Sequence, residues 1–178
     1  VGTSWSSQTS DDTQDLVAGD INGDGRPDLV ALNYGYNRVN LIASKGSGFE
    51  LSTQASWSSG DYMDSMCGAL GDFDDDGDLD LAFSNENQHD TIYLNQGTFV
   101  STVPAWKSAS SLNTWGIDSG DIDGDGILDM VFGNMNLVTK VFLGGLDNDG
   151  DWVFSSEDDM QRDPTNSVDS DNDGFGEE

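Results

Sequence analysis

One register runs through this chain and restricts it to a repeat architecture. Three stretches superimpose: "GDINGDGRPDLVALN" from Gly19, "GDFDDDGDLDLAFSN" from Gly71 and "GDIDGDGILDMVFGN" from Gly120. Their first loop aspartates are Asp20, Asp72 and Asp121, and Asp169 in the closing "VDSDNDGFGEE" falls in phase, at spacings of 52, 49 and 48. The register reaches beyond the loops. Trp5, Trp57 and Trp106 each lie 15 positions before the first loop aspartate, with Phe154 in that slot ahead of Asp169, while Asn33, Asn85 and Asn134 lie 13 positions after it. A short apolar segment begins 19 positions after it, at Val39, Thr91 and Lys140. Fixed offsets of this kind mark a repeated supersecondary unit.

Each unit reads as strands. "DLVA" leads into the first acidic loop, "DLVALN" leaves it, and "VNLIAS" and "GFELSTQASW" follow after polar turns; short apolar runs bounded by Gly, Asn and Asp are strand signals. No long window keeps an apolar period of 3.6, so helix is expected to be minor or absent. A unit of about 50 residues with four short strands has the size of a propeller blade, and such a unit buries its sheet faces only against neighbours. The expected fold is all-β: tandem four-stranded β-propeller-type blades, about three and a half repeats, with the acidic loops between the first and second strands. Divided by loops, residues 1–18 end a preceding repeat, 19–70, 71–119 and 120–167 are repeats, and 168–178 form a partial fourth loop, all within one repeat domain.

Within each loop oxygen-bearing residues alternate: Asp20, Asn22, Asp24 and Asp28; Asp72, Asp74, Asp76 and Asp80; Asp121, Asp123, Asp125 and Asp129; Asp169, Asp171, Asp173 and Glu177. Positions 1, 3, 5 and 9 can converge on one cation, with the carbonyl of position 7 (Arg26, Asp78, Ile127 or Phe175) as a further ligand. Calcium suits such a site because it accepts six to eight oxygens in flexible geometry, whereas transition metals want His or Cys. Glycine at position 6 (Gly25, Gly77, Gly126, Gly174) serves a chain that turns sharply around an ion. An EF-hand places a bidentate Glu at position 12 between helices; here the last acid falls at position 9 and strands flank the loop. Three calcium sites are expected, with a fourth at 169–177. "DNDGD", Asp147 to Asp151, alternates correctly but has Ser155 at position 9 and reads better as a metal-free hairpin turn.

Charge agrees with this reading. The chain has 34 acids against six Lys plus Arg, a formal charge of -28, and half of those acids lie in the four loops. Such a surface repels itself unless neutralised, and it excludes nucleic acid as a partner. A single cysteine, Cys67, leaves no internal disulfide framework, so metal is the natural substitute for stabilisation. No apolar run approaches a membrane span.

These residues resemble the FG-GAP and VCBS type repeats of integrin alpha-chain propellers and many bacterial surface proteins. The signature is Asp-x-[Asp/Asn]-x-Asp-Gly-x-x-Asp followed by "LV", "LA" or "MV", and "IYLNQGTF" from Ile92 matches the strand and hairpin beyond the loop. The resemblance implies blades with calcium in the first hairpin, an extracellular location and roles in adhesion or ligand binding. The segment "RDPTNSV" before the fourth loop departs from the pattern, because Pro164 makes a poor central strand.

Catalysis has little support. His89 and Cys67 stand without a partner in a recognisable spacing, and no nucleophile elbow, phosphate loop, dinucleotide fingerprint or zinc motif occurs. The expected function is that of a non-enzymatic, calcium-stabilised extracellular module with a structural or adhesive role, meeting other protein chains or glycans. Two alternatives stand beside it. One is a self-assembling fibre subunit completed head to tail by strand addition; the other is a carbohydrate-binding module using Trp115 and Trp152, which fall outside the register.

Overall fold

A computed structural model describes residues 5–7, 10–35, 38–45, 50–97, 100–124 and 126–144. Among them every regular element is a strand. In unit 1, β1 (Asp12–Gly19), β2 (Asp28–Tyr34) and β3 (Asn40–Ile42) run antiparallel; after a small hairpin of β4 (Ser44–Lys45) and β5 (Glu50–Leu51), β6 (Trp57–Ser58) closes the sheet against β3. Unit 2 repeats the order with β7 (Ser65–Gly71), β8 (Asp80–Gln88), β9 (Thr91–Tyr93) and β10 (Trp106–Lys107). Unit 3 is β11 (Leu112–Gly120), β12 (Asp129–Asn134) and β13 (Lys140–Phe142), and the start of β11 also pairs with the end of β8. The third strands begin at Thr91 and Lys140 as the sequence offset expects, but in unit 1 at Asn40, one residue beyond Val39. Unit 1 has one more residue between its register asparagine and the start of its third strand, and Leu29 opposite Ile42 matches Leu81 opposite Tyr93 and Met130 opposite Phe142.

Period-two alternation sends each sheet's side chains to opposite faces, and the units stack through them. The trailing face of unit 1, with Val30, Leu32 and Leu41, packs on the leading face of unit 2, with Leu81, Phe83 and Tyr93; all are fully or nearly fully buried in one cluster. The opposite face of unit 2, with Ala69, Ala82 and Ile92, packs likewise on Ile117, Met130 and Phe132 of unit 3. Unit 2 therefore belongs to both cores.

The in-phase tryptophans seal these junctions. Trp57 of β6 reaches into unit 2, edge-on to Tyr93 with ring centroids 5.5 Å apart, and its indole N–H donates to the Ser101 carbonyl. Trp106 of β10 meets Phe132 and, edge-on, Phe142 of unit 3. Trp5 donates to the Ser52 carbonyl on the leading side of unit 1. There Ala31 stands where units 2 and 3 carry Phe83 and Phe132, and a cavity of about 420 Å³ remains between Trp5, Ala31 and Ile42.

A repeated asparagine ties the same place in each unit. Asn33, Asn85 and Asn134 donate from Nδ2 to the carbonyls of Arg38, His89 and Val138. Their Oδ1 atoms accept the hydroxyls of Thr13, Ser65 and Thr114, each at 2.8 Å. One side chain thus holds first strand, second strand and following turn together.

Candidate metal centres in the acidic loops

Each of the three acidic loops between described strands joins the first and second strands of its unit. The chain reverses there through left-handed residues: Gly25, Gly77 and Gly126 at position 6 have φ of 83°, 93° and 91°, and Gly23, Asp75 and Gly124 at position 4 have 70°, 59° and 83°. Asp75 shows that a short acidic side chain tolerates this region.

The first aspartate organises the coil. Both oxygens of Asp20 accept backbone amides, from Asp24 at 3.0 Å and Gly25 at 2.7 Å; Asp72 does the same with Asp76 and Gly77, and Asp121 with Gly124 and Gly126. At position 3, Asn22 and Asp74 accept the amides of Asp24 and Asp76; at position 5, Asp24 and Asp76 accept those of Arg26 and Asp78. The alternating pattern thus wraps the backbone around its own carboxylates.

Position 9 is the anchor. One oxygen of Asp28, Asp80 and Asp129 accepts the amide of Ile21, Phe73 and Ile122 across the loop, while the other accepts that of Ser44, Asn95 and Gly144 beyond the third strand. All three are 0 to 1 % exposed. The sequence pattern marks these residues only as ligands; their amide bonds past the third strand depend on a partner 15 or 16 residues away.

Carboxylate oxygens of Asp72, Asp74 and Asp80 lie within 4.8 Å of one another, and so do those of Asp121, Asp123 and Asp129. Burial raises the Asp80 carboxyl to about 7 despite the lowering amides of Asn95 and Phe73, and burial followed by the neighbouring Asp76 charge raises Asp74. Crowded acids in this state are the donor set a hard cation neutralises. The first loop differs: Asn22 leaves it one acid short, and Arg26 pairs with Asp24 at 2.5 Å while its Nε donates to Ser44. No acidic triplet of this kind forms in that loop among the described residues. Asp125, Asp169, Asp171, Asp173, Phe175 and Glu177 lie outside the described residues, as do "DNDGD", Trp152 and Phe154.

The described candidates for other chemistry are isolated. His89 is exposed, with Nδ1 against the Ser108 carbonyl; Cys67 is half-buried with its thiol raised chiefly by burial. Trp115 is half-exposed, its indole N–H on Asn113. No helix of the described chain is long and apolar enough to cross a membrane.

Comparison with known proteins agrees with the geometry. A search of curated proteins finds no match. The family model for the FG-GAP-like repeat matches twice, over residues 20–83 and 72–132, each match running from one acidic loop into the second strand of the next unit. Together the matches span more than half of the chain, and the helix-free stack of sheets is of the propeller-like kind. The chain belongs to the FG-GAP-like repeat family.

Proposed function

We propose that this protein is an extracellular, calcium-stabilised module that presents a rigid β surface to protein or glycan partners and carries out no catalysis. The observation that carries the reading is the acidic loop recurring at one place in every unit, with two carboxylate triplets drawn to within 4.8 Å. Asp72, Asp74, Asp76 and Asp80, and Asp121, Asp123, Asp125 and Asp129, hold the ion through hard oxygens, helped by the carbonyls of Asp78 and Ile127. Asp20, Asn22, Asp24 and Asp28 with the Arg26 carbonyl form a less charged version, and residues 169–177 a fourth. Bound calcium neutralises a chain of charge -28 and links first to second strand in each unit. Extracellular calcium modules work at a Kd of about 10⁻⁴–10⁻³ M, and oxygen-only loops of this kind fit that class.

Thermal unfolding with calcium and with excess EGTA tests this. An ion bound at about a hundred times its Kd adds roughly 2.7 kcal/mol per site, so calcium raises the melting temperature by many degrees, and Asp72→Ala removes part of the rise. Identical melting in calcium and EGTA would sink the reading.

A further inference from the structure

Position 7 of the three described loops carries a different side chain in each unit: Arg26, Asp78 and Ile127. In all three it leans on the segment beyond the third strand. Nε of Arg26 donates to the Ser44 hydroxyl at 3.3 Å. A Cβ added at Gly97 would meet an Asp78 carboxylate oxygen at 2.9 Å, and one added at Gly144 would meet the Ile127 methyl at 3.0 Å. The placement is shared, so what the residue does to its loop depends on length and charge. Ile127 has no charge, and Asp78 adds one of the sign already present. Arg26 is long and positive, and its Nη2 turns back into the loop to Oδ2 of Asp24 at 2.5 Å.

Asp24 holds position 5, and both of its oxygens are engaged by that one residue. Oδ1 accepts the Arg26 amide and Oδ2 the guanidinium. In unit 2 the corresponding Asp76 accepts the Asp78 amide in the same way, and among the described residues no cation pairs with it. The pair in loop 1 is partly sheltered, its side chains being 37 % and 30 % exposed. Its far end is fixed as well: Ser44 meets Arg26 through its hydroxyl and Oδ1 of Asp28, the position-9 anchor, through its amide. The guanidinium therefore spans loop 1 from position 5 to the segment tied to position 9. Charge follows the same division. Between positions 1 and 9, loop 1 has three acids and one arginine, loop 2 six acids and loop 3 four. The charge count of an oxygen loop is one of the terms that set its calcium affinity.

Resting on the calcium reading above, we propose that Arg26 is a tethered competitor for the cation of loop 1, so that the loops fill in order. Loops 2 and 3 load first, and loop 1 loads last, when calcium displaces the guanidinium from Asp24. A divalent ion and a guanidinium at one carboxylate repel each other, which amounts to about tenfold in affinity in water-like surroundings. Asn22 in place of an acid adds to the delay. Over the calcium range that orders units 2 and 3, unit 1 is held by its own arginine.

A calcium titration of the full chain followed by heteronuclear NMR tests this. Gly25, Gly77 and Gly126 each donate their amide to the first aspartate of their own loop, at 2.7, 2.9 and 3.1 Å, so the three resonances report the loops separately. In the wild type Gly25 is expected to shift with a midpoint at least about tenfold above those of Gly77 and Gly126. Arg26→Ile, which copies the residue of unit 3, is expected to lower the Gly25 midpoint about tenfold and leave the other two unchanged. Arg26→Lys retains the charge and is expected to keep Gly25 late. Resonances outside loop 1 that stay in place verify that each variant folds. A wild-type Gly25 midpoint level with the others, a midpoint that Arg26→Ile does not move, or equal effects of the two substitutions would each overturn the proposal. No shift of Gly77 and Gly126 at any calcium concentration would instead remove the calcium reading, and the proposal with it.

Discussion

Asp90 has no acidic counterpart in the neighbouring units. It precedes the third strand of unit 2, where Val39 and Thr139 precede those of units 1 and 3. Its amide donates to Ser108, as Val39 does to Ser59, so the backbone plan is shared and the carboxylate is an addition. Oδ1 accepts the Asn85 amide and Oδ2 shares the Thr114 hydroxyl with Asn134, while His89 and Lys140 act to lower the carboxyl. Burial outweighs all of them and raises the carboxyl from 3.8 to about 6. The native state therefore holds this proton up to about pH 6, whereas the unfolded chain releases it near 3.9. Between those values the folded protein binds more protons, so this residue's contribution favours folding below pH 3.9 and fades as pH rises through 6. Asp90→Asn keeps an acceptor for Asn85 and leaves the Thr114 hydroxyl its bond to Asn134. It is expected to raise stability above pH 6 by on the order of 1 kcal/mol and to flatten the profile between pH 4 and 7, as measured by urea unfolding in constant calcium.

At the scale of the strand, the glycines ending β1, β7 and β11 occupy one sequence position in two environments. At Gly71 an added side chain meets the Leu128 tip at 2.7 Å and the Phe73 ring at 3.0 Å; at Gly120 it meets none of the described residues within 4 Å. Valine suits a strand better than glycine, so the surroundings decide the sign. Gly71→Val is expected to cost about 1–3 kcal/mol by overpacking, while Gly120→Val is neutral or slightly stabilising in the isolated chain. Denaturant midpoints of the two variants at low protein concentration check the contrast.

Across the whole molecule, unit 2 is the hub, because Leu81, Phe83 and Tyr93 belong to one core while Ala82 and Ile92 belong to the other. Amide hydrogens of Leu81 to Asn85 are expected to exchange slowest, by on the order of tenfold over those of Val131 to Gly133 in β12, which belongs to one core alone. Hydrogen exchange with mass spectrometry locates them, and equal protection in β8 and β12 would contradict the stacking order. Much of this was legible in the sequence, since the acidic loops, the tryptophans and the asparagines recur at fixed offsets and each has a backbone task that recurs with it. The third-strand offset held in two units and slipped by one in unit 1, where an extra turn residue lies between Asn33 and Asn40. Less legible were the hydroxyls of Thr13, Ser65 and Thr114, which share a register but alternate in type. The reach of Asp28, Asp80 and Asp129 past the third strand was hidden because hairpin length sets it. The pairing of Leu32 with Gly68 follows from stacking between units, which periodicity within a strand does not encode.

The placement of the tryptophans has an optical consequence. Trp57 and Trp106 are anchored in one unit and lodged in the next, so their emission responds to the junction and not to the sheet that carries them. A spectral shift toward the red with Trp115, half-exposed from the start, as a nearly constant background would register units parting while every hairpin is still intact. The protein carries its own dye at each seam, and fluorescence compared with backbone circular dichroism resolves separation of the units from their unravelling.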